Sequence, residues 1–247
     1  MLRTSALVFA VSALCVAATA RADEAEDKAA KYFEKIGAKV ERTRTEPSQV
    51  VGVDLSFRRV TDADLKGLAE IKTLRHVGIS SSKVTSVGIK ELGKLKNLSS
   101  LSLRVPKLTG ADLKELGGLK DLDMLMLSGV DLTKEGVREL AALKNLTTLL
   151  LHDVDITDAG LKEFAAFKSL NTLDLSNTNV TDAGLKELAG INNLTKIVLD
   201  YTDVTDAGLK QLAKLKNLTA IWLRGTKVTD EGVAKLHEAL PKCNIDT

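Results

Sequence analysis

From Val50 onward, apolar and polar residues follow one motif at a fixed spacing. Threonine recurs at Thr61, Thr85, Thr109, Thr133, Thr157, Thr181, Thr205 and Thr229, with 24 residues in every interval. The plainest unit is TDAGLKELAGINNLTKIVLDYTDV, from Thr181 to Val204. Seven units are complete, an eighth stops at Thr247, and Val50, Val53, Leu55 and Val60 form a half unit in the same register. A period of this size marks an array of stacked coils.

Each unit divides into two periodicities. In the unit from Thr205, Leu209, Leu212, Ala213 and Leu215 keep the spacing of one helical face. Thr205 stands where an N-cap belongs, and Asp206 lies near the positive end of the helix dipole. Leu218, Ile221 and Leu223 then read LxxLxL, whose last two members alternate as in a strand. The fourth residue of the unit is glycine in most copies but Asp64 and Asp112 in two, so glycine is preferred there without being obligatory.

The strand half matches L-x-x-L-x-L-x-x-N/C-x-L, with threonine often in place of asparagine or cysteine. The whole unit, LxxLxLxxTxVTDAGLxxLA, resembles the ribonuclease-inhibitor-like and F-box-associated leucine-rich repeats and the secreted bacterial proteins that share them. The resemblance runs from about Val50 to Thr247 and implies an α/β leucine-rich repeat solenoid, a right-handed β-α superhelix. Parallel strands stack about 4.8 Å apart and helices need roughly 8–10 Å, so the stack curves, with the sheet concave and the short helices convex. No coil buries its apolar face alone, and the ends need covers. Ala29, Tyr32, Phe33 and Ile36 predict a helical cap, Thr43–Pro47 a loop and Ser48–Leu55 the first strand. At the other end Leu236, Leu240 and Ile245 begin a last turn that Asp246 and Thr247 blunt.

The segment before the repeats reads differently. Arg3, the apolar run Ala6–Ala20 and Ala20-Arg21-Ala22 have the order of a secretory signal with an A-x-A cleavage site. An uncleaved anchor is the alternative, but the run is short beside the roughly 20 residues of a bilayer span. The expected organisation is therefore 1–22 signal peptide, 23–47 capping helix and loop, and 48–247 repeat domain. Cleavage removes Arg3 and Arg21 and takes the net charge from +2 to zero, with 33 basic against 33 acidic residues. A balanced chain has no overall attraction to nucleic acid or an anionic membrane. Cleavage also leaves Cys243 as the one cysteine, so packing must hold the fold in an oxidising compartment. Aromatics make up 3% of the chain, which suits thin repeated layers of leucine, valine and alanine.

Catalytic signatures are missing: there is no P-loop, G-x-G-x-x-G before a helix, H-E-x-x-H, G-x-S-x-G or paired cysteine motif. His76 and His152 are three units apart, on the order of 14 Å by strand spacing, too far to share a metal. Asp131, Asp155 and Asp203 recur at one turn position with Asn179, and Asp153, Asn177 and Asp200 lie near them. Calcium uses such oxygen ladders, but Lys83, Lys107 and Lys227 share the column and turns favour Asp and Asn for their own geometry. No cofactor and no metal is expected.

Residues between the inward leucines are free to differ from coil to coil. Along the stack, the position between the two inward strand residues reads Asp54, Gly78, Ser102, Met126, Leu150, Asp174, Val198 and Trp222. The N-terminal coils are small and polar there, whereas the C-terminal half offers Met124, Met126, Leu150, Val198 and Trp222. Flanking columns add His152, Lys196, Asp200 and Arg224. An apolar row rimmed by charge, ending in tryptophan beside arginine, marks an interaction surface. The expected function is that of an exported, monomeric, non-enzymatic scaffold, periplasmic, surface-bound or extracellular, that binds a protein through this wall. The alternative is a structural or cell-surface component that self-associates or binds wall glycan. The resemblance also implies a substrate-recognition role in ubiquitin ligases, but fewer than 30 residues precede the first strand of the mature chain, too few for an F-box.

Overall fold

A computed structural model describes residues 24–56 and 58–247; the expected signal peptide lies outside them. Ten strands follow one another in chain order across a single sheet. They are β1 (Lys39–Arg42), β2 (Val50–Leu55), β3 (His76–Ser80), β4 (Ser100–Arg104), β5 (Met124–Ser128), β6 (Thr148–Leu150), β7 (Thr172–Asp174), β8 (Lys196–Val198), β9 (Ala220–Trp222) and β10 (Asn244–Asp246). From β2 to β10 every pairing is parallel. The fold is an α/β leucine-rich repeat solenoid, as expected.

One column shows how the period becomes a core. Val53, Val77, Leu101, Leu125, Leu149, Leu173, Ile197 and Ile221 are register partners from strand to strand and all are buried. Burying each such side chain stabilises the fold by about 1.5–3 kcal/mol, and only the neighbouring coil can bury it.

The helical halves run back on the other side: α2 (Asp62–Leu65), α3 (Ser86–Leu92), α4 (Lys134–Leu140), α5 (Asp158–Leu161), α6 (Asp182–Leu188), α7 (Asp206–Leu212) and α8 (Asp230–Ala239), after α1 over residues 24–35. Uniform α-helices were expected, but three coils use the tighter 3₁₀ form: Lys66–Glu70, Gly110–Gly118 and Lys162–Ala166. The second carries Gly110, Gly117 and Gly118, poor α-helix formers, and a Cβ on Gly110 would lie 2.7 Å from the Cα of Gly136. Backbone meets backbone at that junction.

The recurring threonine accepts from a backbone N–H of its own helix at Thr85, Thr133, Thr181, Thr205 and Thr229, and in four coils it also meets a carboxylate from the coil before it. Asp62, Asp158, Asp182 and Asp206 accept the backbone N–H (2.8 Å) and hydroxyl (2.7 Å) of Thr85, Thr181, Thr205 and Thr229 respectively. This clasp explains the glycine at the fourth position. A Cβ on Gly208 would sit 2.4 Å from Oδ1 of Asp182, and one on Gly232 would sit 2.1 Å from Oδ1 of Asp206. In the two coils where Asp64 and Asp112 replace glycine, no preceding carboxylate arrives. There the aspartate caps its own threonine, Thr61 or Thr109.

Two further contacts recur, one between coils and one within a coil. Asn97, Asn145, Asn193 and Asn217 each donate from Nδ2 to a carbonyl of the preceding coil at 2.7–2.9 Å, so the asparagine of the N-x-S/T triplet is a structural residue. Thr178, Thr202 and Thr226 donate their hydroxyls to the carbonyl three residues earlier, which a threonine can do in place of the consensus asparagine.

The ends depart from expectation. Between α1 and β2 the chain forms β1, antiparallel to β2, where helix and loop were expected. The Phe33 ring is fully buried and packs against Gly67, and Thr73 donates to Glu26, so α1 closes the first coil. At the far end Asn244–Asp246 add a strand where a blunt last turn was expected, and Cys243 is buried beneath it.

The clasp predicts unequal tolerance at equivalent glycines. Gly208→Ala is expected to lower unfolding free energy by about 2 kcal/mol through overpacking. Gly160→Ala, which faces Ile156 and no carboxylate, is expected to change it by less than about 1 kcal/mol. Urea titration of both, and of Asp182→Ala with Gly208→Ala, measures the coupling; strictly additive losses would count against the clasp.

Hydrogen bonds from the backbone N–H and hydroxyl of Thr229 hold the Asp206 carboxyl below its ordinary range. Its contribution is therefore complete above that range and is lost as pH falls through the lowered value. Asp206→Asn is expected to flatten the decline in the urea midpoint below about pH 4.

Candidate functional site

The expected interaction residues form two cross-strand ladders. Met126, Leu150, Asp174, Val198 and Trp222 are successive register partners, and Asp246 on β10 extends the row. Met124, Thr148, Thr172, Lys196 and Ala220 form the parallel row beside it. Strand alternation turns both rows away from the core, onto the face opposite the buried leucines. The apolar members are half-buried, because neighbours only one strand apart cover each other's flanks, while Lys196 is exposed.

Polar groups around the row are engaged with one another. Ser102 donates to Sδ of Met126 at 3.1 Å, and the Ser100 hydroxyl lies 3.6 Å from Sδ of Met124, fixing both thioethers against the polar N-terminal coils. Asp174 accepts the N–H of Ser176 at 2.8 Å and also its hydroxyl. Asp200 accepts the N–H of Arg224 at 2.8 Å, and the Arg224 guanidinium pairs with Asp246 at 2.7 Å. His152 Nδ1 lies 3.4 Å from the Asp153 carboxylate. His152, Asp200 and Arg224 stand just past the strands, in the turns that leave the sheet. In the same column Ser128 is buried, and its hydroxyl finds no hydrogen-bond partner.

Farther along those turns the structure marks a residue that the sequence analysis passed over. Gly129, Asp153, Asn177, Tyr201 and Gly225 occupy equivalent positions, and all five have left-handed backbone, with φ between 52° and 66°. Gly, Asn and Asp adopt that region readily, whereas a bulky side chain does so at a cost of about 1–2 kcal/mol. Tyr201 is nonetheless 67% exposed, and its ring lies against Gly225, where a Cβ would fall 2.6 Å from the ring. It adjoins Asp200 and packs beside Arg224, giving the C-terminal rim a second aromatic. The signal was present in the sequence: from Gly129 to Gly225 tyrosine stands among glycine, aspartate and asparagine.

Three aspartates of the acidic turn column bond to neighbouring side chains. Asn177 donates to Asp153, Asn179 donates to Asp155 at 3.0 Å, and Lys227 pairs with Asp203 at 2.6 Å. Among the described residues no group of three or more His, Cys, Asp or Glu side chains is arranged to hold a metal ion.

Comparisons with known proteins bear on the fold. Residues 168–189 match the family model described as Leucine Rich repeat. The chain is a leucine-rich repeat solenoid. Its fold is similar to the crystal structure of an internalin C2 from Listeria monocytogenes str. 4b F2365, with 25% identity, a TM-score of 0.60 and coverage of 76% of this chain and 77% of that one. A second internalin from the same strain, inlF, is 18% identical with a TM-score of 0.55; 78% of this chain matches and spans 60% of that protein's length. A search of curated proteins returns no match.

The left-handed column yields a test of what Tyr201 costs. Tyr201→Asn is expected to raise unfolding free energy by about 0.5–1 kcal/mol, read as a higher urea midpoint. A lower midpoint would show that the ring contributes more through Gly225 than its backbone costs.

Proposed function

We propose that this solenoid is an exported, non-enzymatic scaffold that binds a protein partner through the C-terminal half of its concave sheet. The observation that carries this reading is the continuous ladder Met126–Leu150–Asp174–Val198–Trp222, with Tyr201 and Arg224 at its rim. The ladder is apolar except at Asp174, and tryptophan, tyrosine and arginine are the side chains that dominate binding energy at interfaces. The surface residues proposed to contact the partner are Met124, Met126, Leu150, His152, Asp174, Lys196, Val198, Asp200, Trp222 and Arg224. Tyr201 joins them because it keeps an exposed ring at a backbone position that disfavours one.

Export rests on the order of Arg3, Ala6–Ala20 and Ala20-Arg21-Ala22. A monomeric state is supported by Cys243, which is buried and whose thiol burial pushes up, so it is a poor nucleophile for linking two chains. No helix among the described residues is long and apolar enough to cross a membrane.

Affinity capture from envelope and extracellular fractions tests the reading, with Trp222→Ala and Met126→Asp as paired controls. Both substitutions are expected to abolish capture and leave circular dichroism and melting temperature nearly unchanged. Capture that persists in both variants would overturn the concave site.

A further inference from the structure

The chain is almost neutral overall, yet its charges are sorted by edge. In the turn between helix and strand, one position reads Lys72, Lys96, Lys120, Lys144, Lys168 and Lys216, broken only by Asn192. All six lysines are exposed, and none takes part in an ion pair among the described residues. The asparagine bonds between coils stack these turns directly on one another: Asn97 bonds the Lys72 carbonyl, Asn145 that of Lys120 and Asn193 that of Lys168. The lysines therefore form a row along one long edge of the solenoid. Lys94, Arg75 and Lys214 thicken it. At its N-terminal end Lys72, Lys94 and Lys96 line a groove of about 310 Å³ whose other walls are Ile71, Leu74 and Leu95.

Two other charge rows differ in kind. On the helices, every basic residue from Lys90 to Lys186 at the sixth unit position is followed directly by glutamate, and Arg138 pairs with Glu163 at 3.1 Å. On the opposite edge, Lys227 and Arg224 are paired with Asp203 and Asp246. The lysine edge carries six lysines with no ion pair among the described residues, although Asp121 and Asp123 stand beside Lys120 and the adjoining Lys94 is paired with Glu91 at 2.6 Å. Part of it answers the helix C-termini, since Lys72, Lys96 and Lys144 donate to the carbonyls of Ala69, Gly93 and Ala141. Each ammonium has three donors; Lys72 and Lys144 spend one there, and Lys96 spends a second on the Gly118 carbonyl at 3.4 Å.

The geometry points to this edge as a docking surface for an anionic phospholipid membrane. Lysine presents a mobile point charge on an apolar stem, which suits scattered headgroup phosphates and lets the stems lie in the interface. The groove between Lys72 and Lys96 sets apolar walls beside its ammonium groups, as a headgroup with its glycerol backbone requires. A nucleic-acid site would be expected to add stacking aromatics and several arginines, whereas the row has no aromatic and Arg75 is the one arginine beside it. Such docking adds to the proposed partner binding without depending on it, and it leaves the concave sheet free.

Flotation of the full chain with vesicles tests the inference, comparing phosphatidylcholine alone with phosphatidylcholine containing about a third phosphatidylglycerol. The apolar N-terminus is common to all variants, so the comparison is between them. Lys72→Gln/Lys96→Gln/Lys120→Gln is expected to weaken binding to the anionic vesicles at least about tenfold, and salt raised to about 0.5 M to abolish the difference. Lys162→Gln/Lys186→Gln/Lys210→Gln removes the same charge from the helical face and is expected to change binding less than about twofold. If the first triple variant melts early, Lys120→Gln/Lys168→Gln, whose ammonium groups make no recorded hydrogen bond, is expected to weaken binding about fivefold. Equal losses in the two triple variants, equal binding to neutral vesicles, or displacement from vesicles by duplex DNA would each overturn the membrane assignment.

Discussion

A coil of 24 residues cannot complete itself. Its leucines have one neighbour to cover them on each side, and its turn donors and acceptors have partners only in the next coil. The structure meets that constraint with three recurring contacts: the buried column on the sheet, the aspartate–threonine clasp before four of the helices, and the asparagine bond after four of them. Each joins a residue to another about one period away. Where one contact is missing, something else closes the gap. Lys134 stands where a clasping aspartate would be, and at the preceding junction Gly110 lets two backbones touch.

Most of this architecture was legible in the sequence because the same physical demand is written eight times over. The threonine caps, the strand alternation and the outward columns all follow from repetition. What escaped was whatever occurs once. β1 has the sequence KVER, with a single apolar residue, and is a strand because β2 offers it an edge. β10 is NID and owes its conformation to the ladder with β9. The 3₁₀ segments depend on how closely adjacent backbones approach, which no single coil encodes.

The candidate site was legible in the same uneven way. Register placed Met126 beside Leu150 and Val198 beside Trp222 as their spacing implied, whereas the bonds among Asp174, Ser176, Asp200, Arg224 and Asp246 come from turns whose shape the spacing does not define. Tyr201 and the lysine edge were both visible as columns, but the first was hidden by attention to strands and the second by a net charge near zero. A sum over charges erases their arrangement, and in an elongated molecule the arrangement is what a partner meets.

The clasp also limits how such a chain can change length. Aspartate and threonine lie 23 residues apart, and asparagine and its carbonyl 25, so each coil is measured against its neighbour from both ends. One added residue must bulge out as a loop or break the bonds that span the coil it enters. A whole added coil breaks none, since it brings its own aspartate, threonine and asparagine. The molecule can thus be lengthened or shortened in integral steps, with each step moving the C-terminal rim to a new distance from the N-terminal cap while leaving both intact.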